Sequence, residues 1–422
     1  MRRAILSPDR PVVTLLRPLA LLSVGVLGVL ALVTTSAIVY WFFYVTAALV
    51  VLTWYWVSRS VTNLRMARSL VTKAAFAGDE VAEEFRLTNL GRLPVLMVEL
   101  EDQSNFPGYS ASIAENLDAR QTKVWQSSGK ALRRGIFTMG PMVVRTGDPF
   151  GIFAAEFNFP RVTSFVVYPR IALMPELTVP AGHQFGSSRS SSRTQQITSD
   201  AAGIRDFAPG DPMKRIHWLS TARRGQITVK EFDLEPAASV WIALDLNRAV
   251  LAGRGADTTE ELAVIVATAV AYQQIRAGRA VGLAARGDQR VVLEPQKGPQ
   301  QLWRILEHLA VLRAHGREGF PLTLAELGQG LAPGVSIVAI SSDADPEWIS
   351  ALGQLTRRRI NCTAVHIDAH SFGGPPTAAD LVSLAALSGI GIRTLRAGQE
   401  FASIRPDFEP PPGVPATMVA GG

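Results

Sequence analysis

The chain has 422 residues, too many for a single small module and enough to bury the cores of two or three domains. Its 42 Lys and Arg residues exceed its 36 Asp and Glu residues, which gives a net charge of +6 and a pI near 9.7 and favours an anionic surface, phospholipid or nucleic acid, nearby. The single cysteine, Cys362, excludes an internal disulfide.

Residues 18–57 form an apolar stretch without a charged side chain. A helix needs about 20 residues to cross a bilayer, so this stretch is long enough for two transmembrane helices. Aromatic residues at 40–44 and 54–56 are typical of membrane interfaces. A signal peptide has a shorter apolar core that ends at a small-residue cleavage site, whereas this stretch continues through bulky aromatic residues. The sequence therefore predicts a hairpin of two membrane helices.

Basic residues flank this hairpin on both sides, in the amino-terminal segment 1–17 and in the juxtamembrane segment 58–78. Positive-inside bias places both flanks in the cytoplasm. We therefore predict a two-span protein of the inner (cytoplasmic) membrane with both termini in the cytoplasm. The pattern between Asn63 and Phe76 is compatible with a helix, which Gly78 would end.

The sequence pattern changes after residue 78. Polar and apolar residues alternate, and turn signals at 89–91 and at Pro94 separate short runs typical of strands. The region 79–180 is therefore predicted to be a β-sandwich. A region with a Ser-rich loop and a cluster of charges follows at 181–236.

Strand and helix patterns alternate in the region 237–405. They predict a doubly wound α/β domain with a parallel sheet, whose ligands are expected at the carboxyl ends of the strands. The tail, 406–422, is rich in Pro and Gly and is expected to be disordered. The predicted fold class is thus a membrane-anchored multidomain protein with a transmembrane hairpin, a β-sandwich and an α/β domain.

The stretch 203–233, termed the charged segment, concentrates charged residues around a short apolar frame. Asp211 followed by Pro212 is a strong helix start, and Gly225 is a natural helix end, so the sequence predicts a helix over 212–224. The face that this helix is expected to bury holds Met213, Ile216 and Leu219.

The charged segment also holds the candidate partner-binding residues. They are Arg205, Asp206, Gly210, Asp211, Arg215, His217, Trp218, Arg223 and Lys230. The charges among them would form either a salt-bridged network that holds the segment to a neighbouring domain or a surface that docks a partner. A catalytic role is disfavoured, because no Ser, Cys or paired carboxylate lies at a spacing that would activate a nucleophile.

Two segments, GDPFGIF at 147–153 and FAPGDPMKRIHWLSTARRGQITVKEFD at 207–233, resemble the hallmark segments of a bacterial family called domain of unknown function 58. The resemblance extends to the layout of the whole chain and implies that the α/β domain is von Willebrand factor type A-like. It also implies a MoxR-type AAA+ ATPase and a membrane protein with a transglutaminase-like domain as partners. The family's activity is largely unassigned, so the resemblance implies context rather than a reaction.

Type A-like domains often hold Mg²⁺ through Asp-x-Ser-x-Ser after the first strand and a later Asp, a set of oxygen ligands that suits this ion. In this sequence Asp245 and Asn247 occupy the first two positions, Ala249 offers no ligand, and Asp343 stands at the distal position. The resemblance therefore implies a degenerate site. We predict no cofactor, with Mg²⁺ as the alternative.

Together these features predict a membrane-anchored, cytoplasm-facing interaction or scaffold protein that docks a MoxR-type AAA+ ATPase and is not an enzyme. Its expected partners are this ATPase, a transglutaminase-like membrane protein and membrane lipid. Nucleic acid is not expected, because residues flanking the membrane largely account for the basic excess. The alternative is a metal-assisted hydrolase that uses Asp245 and Asp343.

Overall fold

The computed structural model describes residues 12–34, 36–70, 74–160, 162–174, 179, 203–207, 213, 216–231, 239–255, 257–376 and 380–407. The predicted Ser-rich loop and nearly all of the predicted tail lie outside these residues. The described chain divides into two compact units. The first comprises 12–170 with 306–311 and 407, and the second comprises 171–305 with 312–406.

The first unit contains two helices and a set of strands that form several sheets. In chain order its elements are β1 (Val12–Leu15), α1 (Pro18–Val33), α2 (Ala37–Thr62), β2 (Leu64–Leu70), β3 (Ala75–Phe76), β4 (Glu80–Asn89), β5 (Val95–Asp102), β6 (Ile113–Leu117), β7 (Thr122–Lys130), β8 (Gly135–Met139), β9 (Met142–Gly147), β10 (Phe153–Phe159) and β11 (Thr163–Tyr168). The sheet orders are β1-β10-β9-β5-β6, β3-β11-β8 and β2-β4-β7. All of these sheets contribute to one apolar core.

The helix pair has one long and one short member. Among the described residues, α2 is the helix that is long and apolar enough to cross a membrane, and α1 is a shorter apolar helix of 16 residues. Both expose large apolar side chains, among them Leu32 and Trp41. The carboxyl-terminal half of α2 differs, because Val57 and Val61 are buried in the core of the first unit.

Both flanks of the helix pair are strands of the first unit. β1 pairs with β10 and β2 pairs with β4, each in antiparallel orientation. The helix predicted between Asn63 and Phe76 is therefore wrong. The chain continues from α2 directly into β2, whose alternate side chains Leu64 and Met66 are buried. The β-rich region thus begins before residue 79 and includes a strand that precedes the helices.

A buried ion pair joins β2 and β4. The guanidinium of Arg68 donates to both carboxylate oxygens of Glu83, from Nε over 2.9 Å and from Nη2 over 2.7 Å. Tyr109 donates its hydroxyl to the same carboxylate, and Asp102 lies 3.6 Å from Nη1 of Arg68. Only 7% of the Arg68 side chain and 1% of the Glu83 side chain are exposed. The sequence predicts Arg68 as one of the basic residues that flank the membrane. In the structure its side chain instead lies in the protein interior and pairs with Glu83.

The remaining elements follow from residue 171 onwards. They are β12 (Ile171–Ala172), β13 (Gly203–Asp206), α3 (Trp218–Arg224), β14 (Thr228–Glu231), β15 (Val240–Asp245), β16 (Gly253–Arg254), β17 (Asp257–Thr258), α4 (Thr259–Arg276), β18 (Val281–Arg286), β19 (Arg290–Gln296), α5 (Pro299–Val311), α6 (Phe320–Gln329), β20 (Ser336–Ser341), α7 (Glu347–Arg357), β21 (Asn361–Ile367), α8 (Leu381–Leu387), β22 (Gly391–Leu395) and β23 (Ser403–Ile404).

The second unit is built on a sheet with the order β19-β18-β15-β20-β21-β22. From β18 to β22 all neighbours are parallel, as the alternation of strand and helix patterns predicts. The edge strand β19 is antiparallel to β18. Neither β19 nor the opposite edge strand β22 was predicted, and neither was α6. The strand order reverses beside β15, so the carboxyl ends of β15 and β20 meet at the point where ligands bind in such sheets.

The buried ion pair yields a test of the first unit's core. Replacing Glu83 with Gln should lower the free energy of unfolding by about 3 kcal/mol, because the buried Arg68 guanidinium loses its charged partner. Chemical denaturation of the detergent-solubilised full chain measures this change.

Glu84→Gln is the matched control, since Glu84 is the next residue of β4 and faces the partly exposed Arg86 over 3.7 Å. Its loss should cost less than about 0.5 kcal/mol. Equal stabilities of the Glu83→Gln variant and the native chain would contradict a structural role for the buried pair.

Candidate functional site

The carboxyl ends of β15 and β20 bring together the predicted metal-site residues. Asp245 ends β15 and is 8% exposed, and Asn247 follows it in the loop. Ser341 ends β20 and is fully buried, and Asp343 lies two residues beyond it. Asp245 and Ser341 are 96 positions apart in the sequence, and the sheet brings them into direct hydrogen-bond contact.

Hydrogen bonds within the chain occupy both carboxylate oxygens of Asp245. Oδ1 accepts the backbone N–H of Asn247 over 3.0 Å, and Oδ2 accepts the hydroxyl of Ser341 over 2.6 Å. The Ser341 hydroxyl oxygen also accepts the N–H of Asp343 over 2.9 Å. The two strand ends are therefore held to each other through Asp245 and Ser341.

The other candidate ligands act as caps of local turns. The side chain of Asn247 accepts the N–H of Ala249 over 3.0 Å, and Asp343 accepts the N–H of Asp345 over 2.9 Å. Nearby, Thr258 caps α4, because its hydroxyl oxygen accepts the N–H of Glu261 over 3.2 Å. Within the described residues no group of three or more His, Cys, Asp or Glu side chains is placed to hold a metal ion. Hydrogen bonds within the chain thus link Asp245 to Asn247 and Ser341, and Ser341 to Asp343, at this edge of the sheet.

The charged segment is described in part. Gly210, Asp211 and Arg215 lie outside the described residues, and only the backbone is described for Arg205 and Lys230. β13 and β14 pair as an antiparallel two-stranded sheet, with α3 in the connection between them.

The predicted helix over 212–224 is wrong at its start. Ile216 forms a β-bridge with Val229, and the N–H of His217 donates to the carbonyl oxygen of Thr228 over 2.8 Å, so this stretch is held against β14. The helix α3 begins only at Trp218, and its N-cap is His217, whose Nδ1 accepts the N–H of Ser220 over 3.2 Å. Competition from strand pairing thus moves the helix start towards the carboxyl end.

The end of α3 lies where the sequence predicts it. Gly225 adopts a φ of +70°, in the left-handed region, and its N–H donates to the carbonyl oxygen of Thr221. One side of the helix is bound to β14, because the N–H of Thr228 donates to the hydroxyl of Thr221 over 3.1 Å. No residue of α3 is buried.

The opposite side of α3 is exposed and combines apolar and cationic side chains. Trp218, Leu219, Ala222 and Arg223 lie within about 140° of the helix circumference and form what we term the α3 face. Trp218 is 69% exposed and Leu219 is 62% exposed. The predictions that Leu219 and Met213 face inward are therefore wrong, since Met213 is 78% exposed as well. The prediction that Ile216 is buried is confirmed. Sequence reasoning missed Leu219 because the helix starts later than predicted, which changes the face that packs.

The candidate residues thus differ in what they offer a partner. His217 is half buried and is engaged as a helix cap, with its Nδ1 2.6 Å from the hydroxyl of Ser220. Asp206 is exposed at the end of β13, away from α3 in the sequence. On α3 itself, Trp218 and Arg223 are the exposed members of the predicted set, and Leu219 joins them.

Residues 203–370 match the family described as "Protein of unknown function DUF58". The uncharacterized protein YeaD of Bacillus subtilis (strain 168) is 31% identical over 168 residues, which span 40% of this chain and 40% of that protein. The family match includes both the α3 face and the edge around Asp245. The match to the relative therefore spans less than half of the relative's length.

Two solved structures show weaker likeness. The sporulation control protein Spo0M of Bacillus subtilis is 10% identical, with 25% of this chain and 49% of that chain covered and a TM-score of 0.17. A GH20 exo-β-N-acetylglucosaminidase of Vibrio harveyi, solved with N-acetylglucosamine, is also 10% identical, with 79% and 57% covered and a TM-score of 0.15. Neither TM-score is high enough to bear on the fold of this chain.

The buried carboxyl of Asp245 makes stability depend on pH. Burial raises the pKa of Asp245 to about 6 from an ordinary value of 3.8, and the hydrogen bonds from Ser341 and Asn247 oppose part of this rise. Between these two pH values the folded protein retains a proton that the unfolded chain releases, so the free energy of unfolding falls as the pH rises.

Asp245→Asn removes this titration. The stability of the variant relative to the native chain should therefore increase between about pH 4 and about pH 7, by up to about 3 kcal/mol. Urea denaturation across this range measures the difference, and Asp343→Asn serves as the control at the same edge. Parallel pH profiles for the Asp245→Asn variant and the native chain would contradict a buried carboxyl whose pKa is raised to about 6.

Proposed function

We propose that this chain is a membrane-anchored interaction protein that docks a protein partner through the α3 face. The observation that carries the proposal is the exposure of Trp218 and Leu219 on a helix whose other side is bound to β14. Tryptophan and arginine are the side chains most enriched among residues that dominate binding energy at protein interfaces. The α3 face presents both, since Arg223 lies beside the two apolar residues.

The chemistry of the α3 face defines the partner that it fits. An apolar recess would accept Trp218 and Leu219, and an acidic side chain at its rim would pair with Arg223. The resemblance to the family called domain of unknown function 58 favours a MoxR-type AAA+ ATPase as this partner. It favours a membrane protein with a transglutaminase-like domain as a second one.

The helix pair α1 and α2 is proposed as the membrane anchor. β1 precedes the pair and β2 follows it, and both strands belong to the first unit, so the chain enters and leaves the pair at the same end. This supports two spans with both flanks on one side of a bilayer. The basic residues of these flanks favour the cytoplasmic face of the inner membrane.

The second unit is proposed to be a degenerate von Willebrand factor type A-like domain that carries the docking segment. Its strand order, which reverses beside β15, supports this proposal. Docking is favoured over metal-assisted hydrolysis at Asp245 and Asp343, because the α3 face is exposed, whereas within the described residues no group of three or more His, Cys, Asp or Glu side chains is placed to hold a metal ion. No cofactor is part of the proposed function.

Replacing both Trp218 and Leu219 with Ser should reduce recovery of a MoxR-type AAA+ ATPase by about tenfold or more, because it removes the apolar centre of the α3 face. Affinity purification of the tagged, detergent-solubilised full chain with mass spectrometry measures this recovery, with ATP and with EDTA. Arg223→Glu should also weaken recovery without unfolding the chain, since Arg223 is exposed.

α8 provides a matched control within the same chain. Like α3 it has seven residues and exposes two apolar side chains, Val382 at 55% and Leu387 at 87%. Replacing these two residues with Ser should leave recovery unchanged. Undiminished recovery of the ATPase by the Trp218 and Leu219 variant would contradict docking through the α3 face.

A further inference from the structure

The turn between β9 and β10 presents an aromatic side chain to solvent. Phe150 lies at its tip and is 53% exposed. The buried carboxylate of Asp148 holds the turn, because Oδ1 accepts the N–H of Phe150 over 2.8 Å and Oδ2 accepts the N–H of Phe153 over 2.5 Å. Gly151 completes it with a φ of +67°. The exposure of Phe150 is therefore imposed by a turn of defined geometry.

This turn is bonded to the residues that lead into α1. The N–H groups of Leu16 and Arg17 both donate to the carbonyl oxygen of Ile152, over 2.8 and 3.4 Å. The guanidinium of Arg17 lies beside Gly151. Phe150 consequently lies at the height where the chain enters the helix pair.

The start of α1 lies level with the aromatic residues at 54–56 of α2. Gly28 of α1 lies against Phe43 of α2. In an antiparallel pair, Pro18 at the start of α1 is then level with Thr53, since each lies ten residues from that contact. Trp54 follows directly in α2 and is 52% exposed. Tryptophan is enriched at the boundary between membrane and water, so this height is the expected interface of the bilayer.

The surface around the turn is apolar and continues into α1. Leu15, Leu16 and Leu19 are 36%, 57% and 73% exposed. Arg17 adds a cation among them. A protein surface that enters the headgroup region of an anionic bilayer combines exposed apolar side chains with basic ones.

We propose that the turn 148–152 is a second membrane-contacting element, in which Phe150 inserts into the bilayer interface beside the helix pair and Arg17 binds lipid phosphate. The inference rests on the proposed membrane anchoring by α1 and α2. It adds a partner for the turn, the lipid headgroup region. Asp148 is a positioning residue, because it fixes the turn through backbone hydrogen bonds and does not itself meet lipid.

Single-cysteine variants of the full chain test this inference by depth-dependent quenching. Cys362 is buried and is first replaced by Ala. Phe150→Cys is labelled with a small fluorophore, and the protein is reconstituted in bilayers that carry a nitroxide near the headgroups. Val26→Cys on α1, 58% exposed, reports insertion of the helix pair. Val162→Cys, 47% exposed, is the control at the far end of the seven-residue strand β10, roughly 23 Å away.

The inference predicts that bilayer nitroxides quench the labels at positions 26 and 150 several-fold more than the label at position 162. Quenching at 26 without quenching at 150 would overturn the inference and leave the membrane anchor intact. Equal quenching at 150 and 162 would also overturn it, because the whole unit would then approach lipid without a specific turn. Absence of quenching at 26 would overturn the membrane anchor itself and the inference with it.

Discussion

The pairing of β1 with β10 and of β2 with β4 fixes both ends of an apolar helix pair within one β-rich unit. The helix pair is therefore not an appendage, because β1, which precedes it, is an edge strand of the five-stranded sheet. The core of the unit also includes Val57 and Val61 of α2. The carboxyl-terminal half of α2 thus has one side in the protein core and one side exposed, and a helix with this arrangement must fold together with the rest of the unit.

Much of the polar chemistry that stands out in the sequence is used to hold the fold. Arg68 is paired with Glu83 inside the first unit, His217 caps α3, and Asp245 joins two strand ends through Ser341. Such residues attract functional hypotheses because buried charge and histidine are common in active sites. Here each of them forms hydrogen bonds within the chain, whereas the exposed residues of the α3 face are largely apolar. The proposed function follows from this division.

Local patterns predicted those parts of the fold that depend on local interactions. The alternation of polar and apolar residues identified β4, the apolar stretch identified the helix pair, and Gly225 follows the end of α3 in left-handed conformation. The repeated strand and helix patterns indicated the parallel sheet. In each case the residues that form the pattern lie in, or directly beside, the helix or strand that the pattern predicts.

Features that depend on distant partners were not accessible from the sequence. β1 has four residues and becomes a strand by pairing with β10, more than 130 residues later. The start of α3 is displaced by the pairing of Ile216 with Val229, and this displacement exposes Leu219. The resemblance implied a degenerate metal site at Asp245, but the hydrogen bond that Asp245 accepts from Ser341 depends on a strand 96 residues later.

The central claim is that the α3 face contacts a protein partner in the cell. A photoreactive amino acid at Ala222, an exposed small residue within that face, tests it directly, with Ala386 of α8 as the matched exposed position. If the α3 face docks this partner, a covalent adduct with a MoxR-type AAA+ ATPase forms from position 222 and none forms from position 386. No adduct from position 222 in cells that contain the ATPase, or equal adducts from both positions, would contradict it.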